Sequence, residues 1–323
     1  MAVQCDLCPK QCVIAPGQSG ECRVRVNVDD RLVAVTYGYP CAVHVDPIEK
    51  KPLYHFLPGT PIFSIATAGC NLHCKNCQNW EISQANPEDT RAYHLPPADL
   101  LRAAREYECV SIAYTYTDPN VYYEYTLDSC VLAHEAGLKN VLVTAGYINP
   151  EPMDRLYRHV DAANIDLKGM TEEFYRDVCG ATLAPVLDTL VRAKALGVWV
   201  EVTNLVIPTL NDSNEALIAL CRWVVENMGR DTPLHFSRFH PQHQMRHLPP
   251  TPADTLDRAR AIALTEGLDY VYIGNIQRPD GATTHCPACD AVVVERVGYQ
   301  VARNRLRDGA CPECAARVHG VWQ

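Results

Sequence analysis

Three cysteines on one short loop carry the strongest chemical signal in this sequence. They are Cys70, Cys74 and Cys77, within Ala68-Gly69-Cys70-Asn71-Leu72-His73-Cys74-Lys75-Asn76-Cys77-Gln78-Asn79-Trp80. A [4Fe-4S] cube has four irons, so three thiolates leave one iron free for a ligand that is not protein. Structural metal sites are closed by the chain, whereas catalytic ones keep a position open. The missing fourth cysteine therefore points to a reaction. The competing reading is a zinc knuckle that borrows a fourth ligand, with His73 the nearest donor.

The chain holds sixteen cysteines, and eleven of them fall into three short-spaced groups. In a reducing compartment such density means metal more often than disulfide. Cys286-Pro287-Ala288-Cys289 and Cys311-Pro312-Glu313-Cys314 are two CxxC knuckles separated by 21 residues, with a hairpin predicted at Val292 to Arg296 and Gly298 to Arg303. That is zinc-ribbon spacing, a closed tetrathiolate site that orders a tail too short to build its own core. Zinc is the expected metal, with an auxiliary iron-sulfur cluster or rubredoxin-type iron as alternatives. Cys5, Cys8, Cys12 and Cys22 can make a further four-thiolate site, whose uneven spacing discriminates poorly between zinc and iron-sulfur and favours zinc only slightly. Cys41, Cys109, Cys130, Cys179 and Cys221 are scattered, as small buried apolar residues are; for Cys41 and Cys179, in turn-like contexts, reaching the site is the minor alternative.

These groups must be positioned by regular elements. From Cys5 to Gly59 the chain is turn-rich, with short strands such as Arg31 to Tyr37 and a long connection through Asp46-Pro47-Ile48-Glu49-Lys50-Lys51-Pro52. From Pro61 onward, short apolar runs alternate with helical stretches. Strands are predicted at Ile62 to Thr67, Val110 to Tyr116, Asn140 to Thr144, Ala162 to Leu167, Trp199 to Ile207, Leu234 to Phe239 and Tyr270 to Ile273. Between them lie helices around Pro97 to Tyr107, Val121 to Ala136, Pro150 to Arg158, Leu183 to Leu196, Ser213 to Asn227 and Pro252 to Glu266, with Ser213 at a start and Gly137, Gly197 and Gly267 at ends. Strand then helix, repeated about six times, implies an α/β fold with a parallel sheet and right-handed crossovers. Whether the sheet closes as a barrel or stays open and doubly wound, the chemistry sits at the carboxyl ends of its strands. The resulting domains are 1–59, a cysteine-rich module and connection; 60–280, the core; and 281–323, the tail.

The three-then-two cysteine spacing after a first strand resembles the radical S-adenosylmethionine (SAM) superfamily. The resemblance implies a partial (β/α)6 TIM-like barrel whose [4Fe-4S] cluster binds SAM and, with an electron from a reductant such as flavodoxin or ferredoxin, cleaves it to a 5'-deoxyadenosyl radical. Asn76 stands where many relatives carry an aromatic that packs over the adenine. Tyr114-Thr115-Tyr116-Thr117-Asp118-Pro119 occupies the place of the element that holds the methionine amino group, which makes Thr117 and Asp118 cofactor contacts, although an Asp-Pro turn capping the next helix is an ordinary alternative. Asp166-Leu167-Lys168 is similar to a motif of pyruvate formate-lyase-activating enzymes beside the methionyl carboxylate, against the alternative of a surface ion pair. Glu201 and Thr203 alternate on one face of a strand, the site side if Val200 and Val202 face the helices. His235 and His240 fall on opposite faces and are expected to play ordinary packed or exposed roles. The Cys-Asp-Leu-Cys-Pro segment, Asp46 to His55, Cys77-Gln78-Asn79-Trp80-Glu81-Ile82-Ser83-Gln84 and Gly320-Val321-Trp322 resemble the AmmeMemoRadiSam-system enzymes, which implies partnership with AMMECR1-like and Memo-like proteins.

Composition narrows the rest. Over 323 residues, 47% are hydrophobic and 21% charged, which fits a folded globular chain. The net charge of −9 and the lack of a Lys/Arg run argue against nucleic acid. No window approaches 18 uninterrupted apolar residues and Met1 to Lys10 lacks an apolar signal core, so the expectation is a soluble cytoplasmic protein with no membrane contact. Two functions of different class follow: a radical SAM enzyme acting on an unidentified substrate, with a glycyl-radical-enzyme activase as its subsidiary form, or a zinc-dependent interaction scaffold without turnover.

Overall fold

The structure, a computed structural model, describes residues 1–278 and 280–323. It opens with two small antiparallel hairpins, β1 (Val3–Gln4) with β2 (Val13–Ile14) and β3 (Arg25–Val28) with β4 (Arg31–Ala34). Asp29 and Asp30, at φ 48° and 61°, make the two-residue turn between β3 and β4, the paired left-handed geometry that suits strand twist. β5 (Ala42–Pro47) then pairs antiparallel with β6 (Pro61–Ala66) from end to end. The segment 1–59 thus supplies the edge strand of the main sheet as well as a cysteine-rich module.

From β6 the chain alternates as the apolar rhythm predicts: α1 (Trp80–Ser83), α2 (Pro97–Glu106), β7 (Ser111–Tyr114), α3 (Tyr123–Glu135), β8 (Lys139–Thr144), α4 (Pro150–Tyr157), β9 (Ala162–Asp166), α5 (Glu172–Phe174), a single π-helical turn (Tyr175–Cys179), α6 (Ala184–Ala195), β10 (Trp199–Val206), α7 (Asn214–Met228), β11 (Leu234–Arg238), α8 (Ala253–Thr265) and β12 (Val271–Gly274). Strands β7 and β9 are buried almost throughout, as befits a parallel sheet covered on both faces. Helix boundaries follow local chemistry. Ser213 caps α7 by accepting from the Ala216 N–H at 3.2 Å, and Gly137, Gly197 and Gly267 take φ of 76°, 85° and 103° just past α3, α6 and α8.

The eight strands lie side by side in chain order, β5 to β12, with β6 to β12 parallel. A doubly wound sheet reverses its order at a switch point; this one never does, so the crossovers stay on one side and the sheet curls toward a barrel. Among the described residues, strand β12 pairs only with β11, and β5 only with β6, which leaves the barrel open along one seam.

That seam is filled by Glu49 to Leu57 and by the tail. The tail folds as a three-stranded sheet of β13 (Thr284–His285), β14 (Val292–Val297) and β15 (Gln300–Asn304). Its Val293, Val294 and Val318 share an apolar core with Tyr54, Tyr270 and Tyr272. Leu57 N–H donates to Val321 C=O, and Val321 N–H to His55 C=O, both at 2.7 Å, so the last residues add a short strand to the seam segment. Arg296, fully buried, donates to the Tyr54 carbonyl at 2.6 Å and lies over the Tyr54 ring at 4.4 Å. Among the described residues no helix is long and apolar enough to cross a membrane.

Candidate active site

The carboxyl ends of β7 to β12 surround a cavity of about 480 Å3. Cys70, Cys74 and Cys77 all line it, on the loop that follows β6. Backbone bonds fix that loop: His73 N–H to Cys179 C=O and Lys75 N–H to Val178 C=O, each 2.9 Å, tie it to the π-helical turn. Burial, with the Asp118 charge added, pushes the Cys70 thiol well above its usual range. Cys74 is the opposite case. A hydrogen bond from the Cys179 thiol, helped by the Lys168 charge, outweighs burial and brings it down to about 7. Burial raises Cys77, whose sulfur is 3.2 Å from the Ser83 hydroxyl.

His73 is turned away from the cavity, with Nδ1 3.0 Å from Gln84 Oε1 and Nε2 3.3 Å from Glu21. It is not placed to act as the fourth ligand of a zinc knuckle. Cys41 and Cys179 do not line the cavity either; Cys179 stands behind Cys74 as its hydrogen-bond donor. Three thiols facing one space suit a [4Fe-4S] cluster with a free corner.

The walls carry polar groups that the chain itself leaves without partners. Asn76 Oδ1 and Thr203 Oγ1 are both buried, border the cavity and find no hydrogen bond among the described residues. Such groups cost stability unless a ligand satisfies them. Thr117 lines the cavity while its hydroxyl donates to Thr67 C=O at 2.9 Å, which locks the end of β7 to that of β6. Asp118 borders the cavity and accepts from Asn120 N–H at 3.0 Å, Ala145 N–H at 2.9 Å and the Thr144 hydroxyl at 3.1 Å. It therefore caps the turn after β7 and faces the site as well. Asp166 and Lys168 form an ion pair at 2.7 Å on the wall, close enough to Cys74 to act on its charge.

Glu201 requires a correction as a cofactor contact. It does point into the barrel, but one layer below the cavity, where its carboxylate accepts from Tyr54 N–H at 3.0 Å, His55 N–H at 2.7 Å, Trp199 Nε1 at 3.1 Å and His235 Nε2 at 2.6 Å. Burial favours its neutral form, but His235 and these donors prevail and hold it below the ordinary carboxyl range. Glu201 is occupied in anchoring the seam segment. His235 is buried and lines the cavity, whereas His240 is exposed and faces the Asn275 carbonyl.

The sequence reading passed over one feature of the cavity. Lys51, 1% exposed, pairs with Asp46 at 2.6 Å; Lys50 reaches the other Asp46 oxygen at 2.9 Å, and the Tyr116 hydroxyl donates to the same carboxylate. Burial lowers Lys51 to about 8 despite that pairing. Tyr116 itself sits at φ 63°, a left-handed conformation that costs a bulky residue strain. Lysines between prolines in a polar connection look like a solvated turn, and only the seam geometry turns them inward.

A singly wound part-barrel with a three-cysteine loop after its first parallel strand defines a class of enzyme that generates radicals from SAM. The sequence profile of the Radical SAM superfamily matches residues 64–221, and the chain belongs to that superfamily. It is 49% identical to the uncharacterized protein MJ0808 of Methanocaldococcus jannaschii, over 98% of this chain and 95% of that protein. It is 25% identical to the pyruvate formate-lyase-activating enzyme of Clostridium pasteurianum, over 53% of this chain and 72% of that one. Among solved structures, a radical SAM methyltransferase from Sphaerobacter thermophilus has the same fold, with a TM-score of 0.53 at 16% identity over 68% of this chain and 67% of that chain.

Proposed function

We propose that this enzyme binds a [4Fe-4S] cluster through Cys70, Cys74 and Cys77 and uses it to cleave SAM reductively, so that the 5'-deoxyadenosyl radical takes a hydrogen atom from a substrate in the same cavity. The observation that carries this is the convergence of three thiols, and no fourth among the described residues, on one cavity bordered by the unpartnered Asn76 Oδ1 and Thr203 Oγ1. In this reading the chain's part is positioning. Asp118, oriented by three donors, accepts from the methionyl amino group. Lys168 offers its charge to the methionyl carboxylate, with Asp166 holding the ammonium in place. Asn76 and Thr203 supply polar contacts to the remainder of the cofactor, and Thr117 keeps the two strand ends together.

Lys50, Lys51, Tyr54, Tyr116, His235 and Ser237 also line the cavity. Their polarity favours a small polar substrate. The activating enzyme of C. pasteurianum supports a subsidiary reading, hydrogen abstraction from a glycine of a partner protein. The Asp46 to His55 string, five residues of which line the cavity, supports membership of the AmmeMemoRadiSam group and association with AMMECR1-like and Memo-like proteins. A flavodoxin or ferredoxin supplies the electron.

In the tail, the sulfurs of Cys286 and Cys314 are 3.6 Å apart and those of Cys289 and Cys311 3.7 Å apart. Four thiolates at zinc's bond length stand about 3.8 Å from one another, so a closed, structural zinc fits this site.

SAM binding tests the reading. Reduced, reconstituted protein should show a changed electron paramagnetic resonance signal when SAM is added, and Thr203→Val together with Asn76→Leu should weaken binding on the order of tenfold or more. A signal indifferent to SAM would contradict it.

A further inference from the structure

We infer that Cys5, Cys8, Cys12 and Cys22 hold a second [4Fe-4S] cluster that delivers electrons to the one at Cys70, Cys74 and Cys77. The inference rests on the assignment of that radical-generating cluster made above.

The four cysteines surround a small cavity of about 20 Å3. Four thiolates closed on a single zinc ion would stand about 3.8 Å from one another. Among the described residues, only the tail's four cysteines bring every sulfur within 4.8 Å of the others. The wider spacing around Cys5 to Cys22 suits a body of several atoms rather than one zinc. Charge agrees with this, since a four-thiolate cube is anionic. Arg25, 8% exposed, lines the cavity with its Nε buried and unpartnered, while its other nitrogens pair with Glu124 at 2.8 Å.

This cavity abuts the radical-generating loop on both sides of Cys70. Gly69, at φ 87°, lies so close that a methyl group there would meet the Cys22 carbonyl oxygen at 2.4 Å. Asn71 lines the small cavity, and its side chain hydrogen-bonds the Cys8 sulfur. One ligand of the catalytic cluster is thus separated from the second centre by single residues on either side. The step is a one-electron transfer. A low-potential one-electron carrier protein reduces the outer cluster, and the outer cluster reduces the inner one, with no atom exchanged.

The full chain, reconstituted anaerobically with iron, sulfide and zinc, should hold about eight irons and about one zinc. Replacing Cys70, Cys74 and Cys77 together by alanine leaves the outer ligands untouched, and this variant should keep about four irons and a reduced-cluster resonance. In the unaltered protein that resonance should be broadened by spin coupling to the neighbouring cluster. The ratio of the rate of inner-cluster reduction by flavodoxin to that by dithionite should fall at least tenfold in Cys8→Ser/Cys22→Ser. Zinc without iron in the triple-alanine variant overturns the second cluster, and an unchanged rate ratio overturns the relay. If instead the unaltered protein binds about four irons and loses all of them in Cys8→Ser/Cys22→Ser, the outer cluster stands and the proposed function fails.

Discussion

At the scale of single residues, one side chain behind the site and one on its wall bear on its properties. Hydrogen bonds to cluster sulfurs stabilise the more negative reduced state and so raise the potential. Cys179 donates one to Cys74. Cys179→Ala should therefore lower the midpoint potential of the radical-generating cluster by roughly tens of millivolts, read by redox titration followed by electron paramagnetic resonance. Lys51 is the other. Its removal leaves Asp46 buried with Lys50 as its remaining cation, so Lys51→Met should cost about 3 kcal/mol in denaturant unfolding. Asp46→Asn combined with Lys51→Met should recover part of that loss. The three-cysteine loop was legible because its residue types and spacing stand out in the sequence before any fold is known. Cys179 and Lys51 were not, because their roles come from packing across more than a hundred residues for one and a seam between sheet edges for the other.

At the scale of elements, the strands and helices of the core could be read from apolar period and capping residues, whereas the seam segment could not. Glu49 to Leu57 has neither period, yet apart from the exposed Lys50 and half-buried Pro52 it is buried because the sheet stops one pairing short of closure. His55 within it is fully buried and uncharged, brought down to about 4 by desolvation, with Nδ1 2.6 Å from the His319 carbonyl. Between pH 6.5 and 4 the unfolded chain then binds the proton that the folded chain refuses. Stability from this group is complete above pH 6.5 and falls as the pH drops toward 4, by about 3 kcal/mol in all. Urea midpoints across that range should follow this slope, and His55→Asn should flatten it. Gly69→Ala tests the junction between the cysteine-rich module and the catalytic loop. A left-handed φ together with the clash that an added methyl would make with the Cys22 carbonyl oxygen predicts a loss of at least about 2 kcal/mol, measurable by thermal melting.

At the scale of the whole molecule, the three cysteine groups divide the work. The tail's site closes a sheet that braces the open seam, the three-cysteine loop faces the cavity, and the first group stands against that loop. Glu201 connects the layers. The sequence placed it correctly on the inward face of β10, but the face has depth, and only the fold tells a residue beneath the cavity from one beside it. Stripping metal from the tail should release β13 to β15 and speed amide exchange at Tyr54 to Leu57, because that segment is hydrogen-bonded to Val321 and Arg296. Exchange there that is indifferent to chelation would contradict the bracing role.

The most direct test is product formation. Anaerobically reconstituted protein given dithionite and SAM should form 5'-deoxyadenosine, and replacement of Cys70, Cys74 and Cys77 by alanine should abolish it. Formation that survives the triple substitution, or a reconstituted protein that carries iron at this loop yet never cleaves SAM, would contradict the account.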